Sequence, residues 1–379
     1  MEYSKWYGEL SSVFDPYIEK NKIPESDITI INAEVISDRL HDGILNRDDV
    51  SVMENLTFSY PIFTPSDKNS KKVILLLHGL NERSWAKYLT WAFCLSLNTN
   101  SYVILFPISF HINRSPVSWK DPRAMIRYLR ERKSKYSEVS MSSFANIAIS
   151  NRLTEDPLRF LNSGYQTVLD IVKLMVSIRD GKHKIIPKGA GVDIFSYSIG
   201  AFLAEIIMMS NPEGLFTGSR LFMFCGGSVF SNMHGTSKLI MDSLAYDRVY
   251  KYYLDDFEKE LRNKYSFKEF LLSGRIGMAF RSMIDLSRFK KFRESALGGI
   301  EDQIRSVALL KDTIIPASGI VRTLNNESCN GRMVTETWDF PYPYTHENPF
   351  PVSGVIPAAL VDDSFDRLFS AASAFFCRR

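Results

Sequence analysis

The stretch Val192-Asp193-Ile194-Phe195-Ser196-Tyr197-Ser198-Ile199-Gly200-Ala201-Phe202-Leu203 decides the fold. Ile194 and Phe195 end an apolar run that is typical of a buried β-strand. The residues from Ala201 to Met209 have the spacing and composition of a buried helix. Only the few residues around Ser198 remain to connect the two elements. The sequence therefore predicts a strand, a sharp corner at Ser198 and a helix that starts directly after it.

Small residues flank Ser198 two positions away on either side, Ser196 before it and Gly200 after it. A nucleophile elbow needs this pattern, because bulky side chains there would collide with the adjacent strand and helix. Such a corner exposes the serine hydroxyl at a helix N-terminus, where backbone N–H groups favour an oxyanion. The usual first glycine is Ser196 here, so its side chain has to fit within the corner. The alternative is an ordinary strand-to-helix turn in which Ser198 caps the helix.

A second apolar run, Lys72–Leu77, ends in the dipeptide His78-Gly79. Its lack of alternation predicts a central strand of a parallel sheet, buried on both faces. In a loop that follows such a strand, the backbone N–H of Leu80 can point toward the serine, with a second N–H from Ile199. His78 is expected to order this loop by hydrogen bonding.

Two further motifs follow later in the chain. Asp312 comes at the end of an apolar strand that contains Val307 and Leu310, and His346 lies in a proline-rich loop after the strand near Arg332–Trp338. Asp312 has the alternative role of capping the helix that starts near Pro316. His346 has the alternative of being a surface histidine. Serine, aspartate and histidine nevertheless occur in the chain order nucleophile, acid, base.

Together these four motifs make the sequence resemble the α/β-hydrolase superfamily, of the serine nucleophile-elbow type. The resemblance covers roughly Phe58 to the C-terminus. It implies that Ser198, Asp312 and His346 form a catalytic triad and that the N–H groups of Leu80 and Ile199 form an oxyanion hole. Supporting roles fall to His78, Gly79 and Gly200. The candidate substrate-lining residues are Asn81, Tyr197, His111 and Tyr344.

The expected fold class is α/β. It has a mostly parallel central sheet of about eight strands flanked by helices, with a helical cap insertion, as alternating strand and helix patterns indicate. We expect residues 1–55 to form an N-terminal extension packed on the core. Residues 56–228 and 305–379 form the hydrolase core, with an insertion at 108–156. Residues 229–304, rich in Met, Phe and Leu, form the cap.

The function predicted from these residues is a serine hydrolase that cleaves a carboxylic ester, or a related acyl bond, through an acyl-enzyme. Esterase, thioesterase and lipase-like activities are close neighbours, and a peptidase is less expected. The substrate is a small acyl compound, with an apolar group if the cap covers the site. No metal or organic cofactor is expected. The alternative is a non-catalytic small-molecule-binding or scaffold protein on the same fold.

Composition narrows the class of protein. The 379 residues include 46 basic and 43 acidic side chains, and this near balance does not favour nucleic-acid binding. The four cysteines form no CxxC pair, so neither a disulfide framework nor a zinc site is expected. The first residues lack the apolar stretch of a signal peptide, and no segment approaches the roughly 20 apolar residues that span a bilayer. A cytoplasmic protein without stable membrane insertion is the expectation.

One segment, 123–135, is strongly basic, with Arg123, Arg127, Arg130, Arg132, Lys133 and Lys135. It is either a solvated helix face or a patch that attracts an anionic substrate. The sequence leaves both interpretations open.

Overall fold

The central sheet has nine strands in the part of the chain that the structure describes. The computed structural model describes residues 2–38, 40, 47–263, 271, 274–324 and 334–378. The strands are β1 (Lys20–Lys22), β2 (Thr29–Ile36), β3 (Thr57–Thr64), β4 (Lys72–Leu77), β5 (Tyr102–Phe106), β6 (Gly191–Tyr197), β7 (Leu221–Phe224), β8 (Ile304–Leu309) and β9 (Val334–Trp338).

Helices occupy most of the connections between these strands. Within the described residues they are α1 (Tyr3–Val13), α2 (Arg47–Val50), α3 (Met53–Leu56), α4 (Ala86–Thr99), α5 (Pro122–Lys135), α6 (Ile147–Glu155), α7 (Leu158–Arg179), α8 (Ile199–Ser210), α9 (Ser243–Lys251), α10 (Phe257–Asn263), α11 (Arg275–Ser282), α12 (Lys290–Gly298), α13 (Ala317–Leu324) and α14 (Ala358–Cys377). A π-helical turn, Tyr252–Asp256, joins α9 to α10.

The strand order is β1-β2-β3-β5-β4-β6-β7-β8-β9. The pairs β1–β2, β2–β3 and β3–β5 are antiparallel, and every pair from β5 to β9 is parallel. The predicted α/β-hydrolase fold, a mostly parallel sheet flanked by helices, is confirmed. Among the described residues the sheet has nine strands and not about eight, because the N-terminal residues contribute both β1 and β2.

Both faces of β4 are buried, as its unbroken apolar run predicts. Leu75 and Leu77 belong to the cluster that contains α7 and α8, whereas Ile74 and Leu76 belong to the cluster that contains α1, α4 and α14. This alternation follows from the two-residue period of a strand. Since β4 to β9 are parallel, the loops that leave their carboxyl ends meet at one edge of the sheet.

Two helical insertions lie over that edge. One runs between β5 and α7 and contains α5 and α6, and the other runs between β7 and β8 and contains α9 to α12. They are joined by a buried ion pair in which Arg132 Nε and Nη2 lie 2.5 and 2.7 Å from the two carboxylate oxygens of Asp242. Asp242 also caps α9 by accepting from the Ala245 N–H at 3.0 Å.

The basic residues of α5 therefore differ in their burial. Arg132 is buried in the ion pair with Asp242, which excludes a solvated position for it. The other basic side chains of the segment are exposed: Arg123, Arg127, Arg130, Lys133 and Lys135. His41 and Cys329 lie outside the described residues, as do parts of the predicted cap, residues 264–270 and 272–273. Within the described ranges, no helix is both long enough and apolar enough to cross a membrane.

Candidate active site

The corner between β6 and α8 is tight at two closely spaced points. Ser198 has φ 58° and ψ −125°, a conformation that side-chain-bearing residues rarely adopt and that the surrounding fold must hold in place. At Gly200, a Cβ atom would lie 2.5 Å from the carbonyl oxygen of Leu77 and 2.7 Å from that of His78. Both contacts are with backbone, so only glycine fits where α8 starts beside the end of β4.

Ser196, which replaces the usual first glycine, fits without entering the corner. Its side chain is fully buried, and its hydroxyl donates to the carbonyl oxygen of Phe222 in the neighbouring strand β7 at 3.4 Å. The hydroxyl is thus directed along the sheet, and the tight approaches at the corner fall on Gly200 and on Gly226, where a Cβ atom would lie 2.8 Å from the carbonyl oxygen of Ser198.

Ser198, His346 and Asp312 come together in one hydrogen-bonded chain. Ser198 Oγ lies 2.7 Å from His346 Nε2, and His346 Nδ1 lies 2.7 Å from Asp312 Oδ2. Each of the three residues is at most 5% exposed. Because a carboxylate only accepts hydrogen bonds, Nδ1 carries the proton and Nε2 is the acceptor that faces the serine hydroxyl.

Asp312 is held by its other carboxylate oxygen. Oδ1 accepts from the backbone N–H groups of Ile314 and Ile315, both at 2.9 Å. These two bonds fix the carboxylate at the end of β8, and Oδ2 is left for His346. The aspartate therefore orders its own turn and binds the histidine at the same time.

The loop after β4 is ordered by His78, which is completely buried. His78 Nε2 accepts from the backbone N–H of Ile108 at 2.9 Å, and Nδ1 lies 2.8 Å from the carbonyl oxygen of Gly79. Burial is the main reason why the pKa of His78 is held well below its ordinary value, so the ring is neutral. A neutral ring with an accepting Nε2 donates from Nδ1, and it ties the loops after β4 and β5 together.

Beyond Gly79, the loop leaves the backbone N–H of Leu80 without a hydrogen-bond partner among the described residues, and the same is true of Ile199 at the start of α8. Both residues border the cavity beside Ser198. Two unpaired donors next to a buried serine are what an oxyanion hole requires.

Two of the predicted substrate-lining residues, Tyr197 and Tyr344, lie elsewhere, and this corrects the sequence-based prediction. Tyr197 is the last residue of β6 and faces the opposite side of the sheet, where it packs with Trp91. Its hydroxyl donates to the carbonyl oxygen of His346, and its ring stacks on the histidine at 5.6 Å. Tyr344 accepts from the Lys311 N–H and donates to Asp339, away from both cavities.

The other two, Asn81 and His111, line a large cavity next to the serine. Asn81 Nδ2 donates to the carbonyl oxygens of Ala145 at 2.9 Å and Leu239 at 2.6 Å, so it fastens both insertions to the loop after β4. His111 Nδ1 lies 2.8 Å from the carbonyl oxygen of Ser109, and burial lowers the pKa of this histidine to about 4. Its Nε2 has no hydrogen-bond partner among the described residues.

Two cavities meet at Leu80, Phe160 and Ile199. The smaller one touches Ser198 and contains about 470 Å³ of space that protein atoms do not fill, its mouth included. The larger one contains about 1170 Å³ on the same measure and extends beneath the first insertion. Apolar side chains dominate both walls, among them Met241, Val249, Phe202, Leu203, Ile206 and Phe280.

Three residues that support the site are absent from the sequence-based prediction. Lys87 donates to the carbonyl oxygen of Glu347 at 2.9 Å and pairs with Glu82, so it connects the histidine loop to the loop after β4. The Tyr88 hydroxyl accepts from the Gly79 N–H at 3.0 Å. Only tertiary structure brings either residue to the site.

The third, Cys225, directly follows β7 and has φ 49°. Burial, and then the charge and hydrogen bond of Asp312, raise the pKa of its thiol well above the ordinary value. The thiol is therefore protonated beside the aspartate. Its place at the carboxyl end of a parallel strand is the same signal that selected Asp312, and that signal could have found it.

Residues 19–377 match the family model described as "Family of unknown function (DUF6051)". The chain belongs to this family. No curated protein matches the sequence.

Three solved structures have a backbone that follows a course similar to that of this chain. A thermostable esterase from Pseudomonas putida is 10% identical, with 100% of this chain and 90% of the other covered and a TM-score of 0.48. An esterase from Pyrococcus furiosus is 12% identical, with 91% of each chain covered and a TM-score of 0.42. An acylaminoacyl peptidase from Pyrococcus horikoshii is 9% identical, with 90% of this chain and 41% of the other covered and a TM-score of 0.44. The chemistry of this chain is therefore inferred from its own site.

Proposed function

We propose that this chain is a serine hydrolase that cleaves carboxylic esters through an acyl-enzyme. The observation that carries the proposal is the hydrogen-bonded chain from Ser198 through His346 to Asp312, with both links at 2.7 Å. A serine hydroxyl is a weak nucleophile at neutral pH unless an adjacent base accepts its proton. The accepting Nε2 of His346 is that base.

Each residue then has a separate role. His346 takes the proton of Ser198 as Oγ attacks the carbonyl carbon, and it returns that proton to the leaving alcohol. Asp312 keeps the imidazole in the required tautomer and stabilises its cation. Water, activated by the same histidine, releases the acid and restores the serine.

The negative charge on the tetrahedral oxygen is stabilised by the N–H groups of Leu80 and Ile199. Loss of one such donor generally costs about 3–4 kcal/mol of transition-state stabilisation. His78 and Gly79 hold the first donor in place, and Gly200 allows the second to approach. The strained backbone of Ser198 fits this role, because strain of this kind concentrates at functional sites.

The cavities favour a substrate with an apolar part next to the scissile bond. Their walls are mainly aliphatic and aromatic, and they reach Ser198 through Leu80, Phe160 and Ile199. We assign residues 229–304 as a cap on a core made of residues 56–228 and 305–379, with residues 1–55 as an extension and 108–156 as a second cover. The contacts of Asn81 and of the Arg132–Asp242 pair support this division, since they join both covers above the site.

The test is covalent labelling with a fluorophosphonate, read by intact mass. The wild-type protein should gain one adduct, and Ser198→Ala should gain none. Ser196→Ala is the matched control, because it removes a buried serine hydroxyl two residues away and should leave labelling unchanged. p-Nitrophenyl esters of graded chain length should be hydrolysed by wild type, and His346→Gln and Asp312→Asn should each lower kcat by roughly 10⁴-fold.

A folded wild-type protein that neither reacts with the fluorophosphonate nor hydrolyses any ester of the series would contradict the proposal. A non-catalytic binding protein on this fold would then be the better account. Near-ultraviolet circular dichroism of each variant separates loss of the nucleophile from loss of the fold.

A further inference from the structure

Two cations, Arg83 and Lys120, lie side by side on the wall of the larger cavity. Arg83 Nη2 donates to the carbonyl oxygens of Trp119 at 3.3 Å and of Lys120 at 2.5 Å, which fixes the guanidinium against the start of the first insertion. Its Nε is buried and has no hydrogen-bond partner among the described residues. Both side chains are partly buried.

Neither cation has a counter-charge in the part of the chain that the structure describes. Glu82, next to Arg83, pairs with Lys87 at 2.5 Å, and Asp121, next to Lys120, accepts from the Arg123 N–H at 2.9 Å. Arg152 and Arg159, which also line the cavity, pair with Asp49 at 2.9 and 3.1 Å. Burial lowers the pKa of both Arg83 and Lys120, and the charge of Arg83 lowers the pKa of Lys120 further. Two adjacent like charges in a partly desolvated wall are unfavourable unless an anion joins them.

Arg83 and Lys120 lie close enough to the loop after β4 to contact a substrate that is bound at Ser198. Arg83 follows Leu80 by three residues, so the two Cα atoms are at most about 11 Å apart. The wall between them belongs to the same cavity, whose other surfaces are largely apolar. A substrate with its ester at Ser198 and a short apolar chain in this cavity would bring its far end to the cations.

We propose that Arg83 and Lys120 bind an anionic group, a carboxylate or a phosphate, at the end of the apolar part of an ester substrate. The proposal rests on the proposed hydrolase function and specifies its substrate class. Arg83 offers the unpaired Nε–H in a fixed orientation, and Lys120 offers an ammonium group with no hydrogen bond to any described residue. In an ester that is apolar along its length and anionic at its end, the chain would contact the apolar walls and the anion would contact the two cations.

The experiment compares mono-p-nitrophenyl esters of α,ω-dicarboxylic acids with p-nitrophenyl esters of fatty acids of equal length, from about five to about ten carbons. Wild type should have a KM about tenfold lower for the charged ester at the best-fitting length. Lys120→Gln should abolish this difference and leave the KM of the neutral ester unchanged. Arg83→Gln should do the same, although its lost carbonyl contacts make Lys120→Gln the cleaner variant.

Lys133→Gln is the matched control, since it removes an exposed positive charge on α5 away from the cavity. An equal KM for charged and neutral esters in wild type at every length would overturn the inference, and so would a Lys120→Gln effect that Lys133→Gln reproduces. If neutral esters are still hydrolysed in either case, the anion-subsite proposal fails and the hydrolase proposal stands.

A binding measurement makes the two proposals independent of each other. Calorimetry of Ser198→Ala with suberate and with octyl phosphate should show binding that is lost when Lys120→Gln is added, and the tighter ligand identifies the preferred anion. If that binding is found while wild type is never labelled by the fluorophosphonate, the hydrolase proposal fails and the anion site stands. Absence of binding to both ligands contradicts the anion site.

Discussion

Gly200 is a position in the active site where an added methyl group would clash with backbone atoms. Its Cβ would meet the carbonyl oxygens of Leu77 and His78 at 2.5 and 2.7 Å, and backbone atoms at the end of β4 cannot rotate away as a side chain can. Gly200→Ala should therefore displace the start of α8 and with it Ser198. We expect the free energy of unfolding to fall by about 1–3 kcal/mol and fluorophosphonate labelling to slow at least tenfold.

Gly8→Ala is the control for this prediction. Gly8 lies within α1, and a Cβ added there would have no atom within 4 Å, so the change should stabilise the protein by about 0.5–1 kcal/mol. Urea unfolding and labelling rates measure both variants. Equal stability of Gly200→Ala and wild type would show that the corner can relax.

At the scale of single residues, the sequence pointed to side chains that the structure brings together, and their catalytic role stays a prediction. Ser198 and Asp312 each follow a strand whose apolar pattern is visible in the chain, and His346 follows the more polar strand β9. The structure links the three side chains by hydrogen bonds. Tyr197 was misjudged because only its position next to Ser198 was considered, whereas the two-residue period of β6 places it on the same face as Phe195. Lys87 could not be found, since its contact with the Glu347 loop spans 260 positions.

Among elements, the junction of α5 with α9 holds the two insertions together. Arg132 and Asp242 are almost fully buried, and both carboxylate oxygens are engaged by the guanidinium. Removing one partner of such a pair leaves an uncompensated buried charge, which costs about 3–5 kcal/mol. Arg132→Leu should therefore lower the urea midpoint strongly, and it should also raise the KM for apolar esters because the cover of the cavity loosens.

Arg127→Leu is the matched control on the same helix. Arg127 pairs with Glu131 at 2.8 Å, but their side chains are 80% and 55% exposed. Exposed pairs of this kind contribute little to stability, so this variant should unfold close to wild type. If the two leucine variants were equally stable, the buried pair would not be what joins α5 to α9.

This junction also shows that the charge pattern of a helix does not decide which of its charged residues is buried. The basic run on α5 was compatible with a solvated face or with an anionic patch, and neither interpretation anticipates that one arginine of the run is buried. Its partner lies 110 positions away at the start of another helix. The strands were easier to predict, because the continuous apolar run of β4 requires burial on both faces whatever the neighbours are.

For the molecule as a whole, the order of strand and helix patterns was enough to predict a mostly parallel sheet with helices on both faces. The number of strands was underestimated because β1 spans only three residues and pairs through its backbone with β2. The contact between the two insertions also depends on tertiary structure, since the side chain of Asn81 donates to Ala145 in one insertion and to Leu239 in the other. Such distant pairings leave no local pattern.

The pH dependence of stability sums over every titratable group of the chain, and the buried carboxyl group of Glu205 makes a contribution that can be measured separately. Glu205 lies within α8, is completely buried, and has no hydrogen-bond partner for either carboxylate oxygen among the described residues. Burial raises its pKa to about 8, and the Arg293 guanidinium opposes this shift only in part. Of the histidines, His111 and His183 have their pKa lowered to about 4 by burial, so they titrate at or below about pH 6.5 in both folded and unfolded states.

Between about pH 6.5 and pH 8, the folded protein retains a proton on Glu205 that the unfolded chain has already released. Stability therefore falls as the pH rises through this window, by about 1–2 kcal/mol. The histidines contribute in the opposite direction, but mainly below about pH 6.5. Glu205→Gln keeps the shape of a neutral acid and cannot ionise, so its free energy of unfolding should not fall across the same window. Urea unfolding at several pH values measures the slope, with the exposed Glu131→Gln expected to follow wild type. Identical slopes for wild type and Glu205→Gln would mean that this carboxyl is ionised in the folded protein at neutral pH.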